Sequence, residues 1–148
     1  MQATSCSTNS DFDIRFIITT VNNVPYPFTP DECTTICAVF DYLSELIDAP
    51  SGQKAVVEIS KYPLMASKVA GLGTTYLPNE CGLGHSAMHR VLISGLYFSE
   101  ERHGVIRINL NLPFYTGDAG SIPNNQLDLY TVVLHEALMY WALLPVLA

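Results

Sequence analysis

The sequence predicts an α+β domain in which a mixed sheet packs against two main helices. Three observations predict it. Phe12, Ile14, Phe16 and Ile18 alternate with Asp13 and Arg15, and Ile106, Ile108 and Leu110 alternate with Arg107, Asn109 and Asn111; both runs have strand period. Ile36, Phe40, Leu43 and Ile47 recur at helical spacing behind Thr29-Pro30. A long apolar segment, residues 126–144, reads as a last helix.

Taken in order, residues 1–10 are a Ser/Thr/Asn-rich leader expected to be loose, and 11–148 form one domain. The first strand starts at Phe12. Asn22-Asn23 with Pro25, Pro27 and Pro30 predicts a loop. Thr29-Pro30-Asp31-Glu32 is a helix start: Thr29 caps, Pro30 suits the first helical position, and Glu32 can close a capping box. Pro50-Ser51-Gly52 ends that helix. Ala55 to Ile59 is short and β-branched, which predicts a buried strand. Tyr62 to Gly84 is punctuated by Gly and Pro and reads as irregular. His85 to Tyr97 has the character of a short helix. Gly104 to Asn111 is a strand, and 113–125, with Gly117, Gly120 and Pro123, is a loop before the last helix.

Composition limits the function. With 148 residues and 49% hydrophobic residues the chain can bury a core as one domain. A net charge of −7 argues against nucleic acid and anionic membranes as partners. No run reaches the length of a membrane span, and Met1 to Asp13 has no apolar stretch of signal-peptide type. Cys6, Cys33, Cys37 and Cys81 fit no standard zinc framework. A disulfide and simple buried thiols both remain open, and the sequence does not pair the cysteines.

The chemistry concentrates at Val132-Val133-Leu134-His135-Glu136-Ala137-Leu138-Met139. His135-Glu136 is the front half of H-E-x-x-H. In that motif two histidines four apart share a helix face and hold zinc, and the glutamate beside the first polarises the zinc-bound water. Met139 stands where the second histidine belongs, and no histidine follows residue 135. A thioether is a soft ligand suited to Cu(I), not a substitute for imidazole on zinc.

The stretch Asp128-Leu129-Tyr130-Thr131-Val132-Val133-Leu134-His135-Glu136 resembles the active-site helix of zincin metallopeptidases. It is most similar to a secreted bacterial kind reading roughly D-x-x-T-V-V-L-H-E-x-x-H-x-x-G-F. The strand Val105 to Asn111, Phe114-Tyr115 with the Gly-rich loop behind it, the strand at Phe12 and the helix after Thr29 also resemble that family, so the likeness runs over most of residues 11–138. It is specific at 128–136 and fails from Met139 onward. The resemblance implies the upper, N-terminal lobe of a zincin: a mixed sheet, a backing helix and a C-terminal active-site helix. It implies a secreted hydrolase that cleaves peptide or protein substrates with zinc-activated water. His135 would be the first metal ligand and Glu136 the catalytic base. The second histidine and the third ligand are absent, so the chain is expected to bind zinc weakly or not at all and to be inactive as it stands.

The genetic code offers a reason for the break. Met is encoded by ATG alone and Trp by TGG alone, so Met139-Tyr140-Trp141-Ala142 reads ATG, TAY, TGG, GCN. Shifted back by one base, the triplets are xAT, GTA, YTG and GGC, where x ends the Leu138 codon. The last three are Val, Leu and Gly whatever the ambiguous base. If x is C, which a leucine codon allows, the first is His. The shifted reading is then His-Glu-Ala-Leu-His-Val-Leu-Gly, a complete H-E-x-x-H-x-x-G, and Phe is permitted next. A single-base deletion at codons 138–139 is the expectation, with the chain truncated inside its catalytic helix.

Other features carry less. His85 and His89 stand four apart and would share a face on a helix, but no glutamate follows His85; packing or surface histidines are expected. His103 reads as a turn residue before a strand. Gly71-Leu72-Gly73 and Gly82-Leu83-Gly84 are turn chemistry rather than phosphate loops. Cys81 has no nearby cation to make it reactive. Two other readings stay open: a pseudopeptidase that binds peptide beside the sheet edge without cleaving it, and a structural α/β domain in which His135-Glu136 is incidental. The apolar end with Met139, Trp141, Leu143, Leu144, Val146 and Leu147 offers a surface for self-association.

Overall fold

Strand alternation sets the architecture. Strand β1 (Phe12–Ile17) buries Phe12, Ile14 and Phe16, while Asp13 and Arg15 on the other face are half-buried. The computed structural model describes residue 6 and residues 11–47, 52–65, 68–74, 76–79, 82–94 and 102–142. After β1 comes a hairpin, β2 (Thr19–Val21) and β3 (Val24–Tyr26), where the sequence predicts a loop. Asn22 and Asn23 both take positive φ, at 51° and 64°. That is the mirror-image turn which matches strand twist, and asparagine tolerates it better than most residues.

Helix α1 (Pro30–Leu46) starts as the sequence predicts. Thr29 Oγ1 accepts the Glu32 N–H at 3.2 Å, and the Glu32 carboxylate accepts the Thr29 N–H at 3.4 Å. Its buried stripe is Ile36, Val39, Phe40 and Leu43, and Phe40 meets Phe12 of β1 edge-on at 5.2 Å. This crossover helix lets β4 (Ala55–Tyr62) lie parallel to β1, with Ile14 beside Val57 and Phe16 beside Ile59.

The stretch 62–84, read as irregular, holds β5 (Ala70–Thr74), β6 (Tyr76–Asn79) and the start of β7 (Gly82–Ser86). Its glycines and prolines mask a weak strand signal. Helix α2 (Ala87–Ser94) follows, then β8 (Gly104–Asn109), β9 (Phe114–Tyr115), β10 (Leu127–Asp128) and helix α3 (Leu129–Ala142). The main sheet has the order β1-β4-β8-β5, parallel except for β5, which runs antiparallel to β8. Helices α1 and α3 pack on each other, and α3 also meets β8 and β5. The result is a mixed α+β domain with a largely parallel sheet, in line with the predicted class. The core joins the inward residues of β1, β4 and β8 to Val39, Phe40, Leu129 and Val133.

No helix among the described residues is long and apolar enough to cross a membrane. The leader apart from Cys6, the helix stop at Pro50-Ser51, Cys81, and the apolar end from Leu143 lie outside the described residues.

Candidate functional site on the last helix

Asp128 begins helix α3. Its carboxylate accepts the Thr131 backbone N–H at 3.1 Å and the Thr131 hydroxyl. An aspartate there satisfies an orphan donor of the first turn and favours the positive helix end. Leu129, Val133 and Ala137 recur four apart and are buried, which roots the helix in the core. Thr131, His135 and Met139 recur on a different face and are exposed. Positions 135 and 139 therefore stand one turn apart on a solvent-open face, as ligand positions of H-E-x-x-H would.

Glu136 is half-buried beside them. Burial pushes its carboxyl above the ordinary 4.5, and the neighbouring His135 pulls it back part-way. A carboxylate raised by desolvation next to an open face suits proton abstraction. The metal chemistry is less complete. Zinc needs at least three protein ligands in a catalytic site, and this face presents one imidazole with Met139 beside it. Among the described residues, no group of three or more His, Cys, Asp or Glu side chains is placed to hold a metal ion. His135 and Met139 alone, on the described face, do not make up a zinc-binding set.

The remaining histidines lie elsewhere. His85 belongs to β7 and His89 to α2, so they do not share one helix face. His103, read as a turn residue, is 1% exposed. Its side-chain Nδ1 accepts the Val56 backbone N–H at 2.8 Å, and the His103 backbone N–H donates to the Val56 carbonyl at 2.8 Å. The ring thus stands in for a strand carbonyl and extends the β4–β8 ladder by one step. No spacing rule marks such a histidine in advance.

Cys6 is buried and forms a disulfide with Cys37 of α1, a pairing the sequence left open. Cys33, one turn earlier, is a free thiol raised above its usual range by burial and then by the Glu32 charge. That thiol is not an activated nucleophile.

No protein-family model matches the chain, and no curated protein or solved structure shows significant similarity to it.

Proposed function

We propose that this chain is the upper lobe of a zincin-type metallopeptidase whose zinc site is interrupted at Met139. The observation that carries the reading is α3: an Asp128-capped helix that roots Val133 and Ala137 in the core and opens His135 and residue 139 together on one face. The raised, half-buried Glu136 beside them supports a base role. The mixed sheet, with α1 behind it and α3 as its last helix, also supports the reading. The Cys6–Cys37 bridge supports export to an oxidising compartment.

With one imidazole on that face, this polypeptide is expected to hydrolyse peptide bonds weakly or not at all. The intact form would have His135 as first ligand, a histidine at 139 as the second, a third from further along, and Glu136 as base. A second reading has one observation in its favour: among the described residues β5 is an edge strand of the main sheet, and α3 packs against it. An open edge can take an extended peptide as an added strand without cleaving it.

The test restores one base at codon 138 and expresses the shifted frame. The product is expected to hold about one zinc per chain and to cleave peptides, with cleavage abolished by Glu136→Gln. A restored product that binds no zinc, or one whose proteolysis survives Glu136→Gln, overturns the reading.

A further inference from the structure

Lys61 breaks the pattern of the sheet's core face. Ala55, Val57 and Ile59 turn inward along β4 and are buried, and the next inward position is Lys61, level with Ile108 of β8. Its ammonium lies 2.6 Å from Glu32 Oε2, donates to the Pro27 carbonyl at 3.1 Å, and sits 5.2 Å from the Phe28 ring centre. Both charged side chains are 19% exposed. Departures from binary patterning collect at functional sites. This one borders a hollow of about 110 Å³, walled by Phe28, Ile108, Leu112, Phe114 and Leu129. The hollow lies at the carboxyl ends of β4 and β8 and beside the first turns of α1 and α3. Carboxyl ends of parallel strands are where open α/β sheets bind ligands.

Charge balance names the ligand class. A carboxylate alone would meet Lys61 but face Glu32, and an amine alone would meet Glu32 but face Lys61. An ammonium group has three donors, and Lys61 directs two at Glu32 and Pro27. Glu32 uses Oε2 for both Lys61 and the Thr29 N–H, which leaves Oε1 able to accept. One donor and one acceptor of opposite charge thus stand side by side at a hollow whose other walls are mainly aliphatic and aromatic, with Tyr26 and Asn109 also in its lining. The hollow is smaller than the roughly 150 Å³ cavity that admits benzene, so it suits a branched aliphatic group rather than an indole.

We propose that this hollow binds a free branched-chain amino acid. The ligand carboxylate meets Lys61, its ammonium meets Glu32, and its side chain lies among Ile108, Leu112 and Leu129. The site is separate from His135 and independent of the peptidase reading.

The test is calorimetric titration of the whole chain with L-leucine, supported by thermal shift. Saturable binding with a raised melting temperature is expected. Isocaproate and isopentylamine each lack one charge and glycine lacks the side chain, so each should bind about tenfold or more weakly. Lys61→Met keeps the stem and is expected to lose binding to the same degree. If that variant does not fold, the ligand series on the unaltered chain decides. The proposal is overturned by no saturable response to leucine, by isocaproate matching leucine, or by leucine binding unchanged in Lys61→Met.

Discussion

Replacing His103 by leucine isolates a single backbone contact. The ring is 1% exposed, and its Nδ1 accepts the Val56 N–H at 2.8 Å. Leucine fills similar space but has no acceptor, so the Val56 donor loses its partner. A buried donor left unpaired costs about 1–3 kcal/mol. This bond is part-buried, which places the cost in the lower half, about 1–2 kcal/mol. For a protein of this size each kcal/mol moves the melting temperature by about 2–4 °C, so the expected drop is roughly 2–8 °C. His103→Asn offers an oxygen close to the Nδ1 position and should recover much of the loss. Thermal unfolding followed by circular dichroism reads both variants. If His103→Leu melts with the parent, or Asn is no better than Leu, the imidazole is not acting as a strand acceptor.

Two further outcomes follow from the fold. The raised Glu136 carboxyl means that the folded chain holds this proton more tightly than the unfolded chain, so its contribution to stability falls as pH rises above the ordinary 4.5. Glu136→Gln should therefore melt above the parent at neutral pH and lose that advantage in acid; a variant that melts below the parent at neutral pH contradicts the burial argument. The Cys6–Cys37 bridge closes a separation of 31 residues. Chain entropy then predicts a loss of about 3.7 kcal/mol on Cys6→Ser, read as a lower urea midpoint under non-reducing conditions, and an unmoved midpoint would mean that the bridge does not constrain the unfolded chain.

Strong local rules made part of this molecule legible in its sequence. Thr29-Pro30-Asp31-Glu32 announced α1 because a capping box is a local bond pattern, and the alternation from Phe12 and from Val105 gave two sheet strands. The hairpin at Asn22-Asn23 was hidden because Pro25 and Pro27 resemble a loop, although two asparagines in sequence suit a mirror-image turn. Strand β5, with Gly71 and Gly73, was lost because its pairing to β8 is set by tertiary contact rather than propensity. At the site, His135 and Glu136 were legible from the motif, and their helix face follows from spacing. Lys61 was missed, although the row Ala55, Val57, Ile59, Lys61 carries a visible break in its alternation. His103 had no such signal, because its role depends on a strand 47 positions away.

The gene sequence across codons 134–148, read in every frame, tests the interrupted zinc site at its source. An interrupted zincin gene requires a Leu138 codon of CTC, so that the frame shifted by one base reads His-Val-Leu-Gly after Glu136-Ala137-Leu138 and stays open beyond it. A Leu138 codon ending in any other base, or a shifted frame that closes at once, would contradict it. His135 and Glu136 would then stand on α3 without a zinc site ever having been encoded around them.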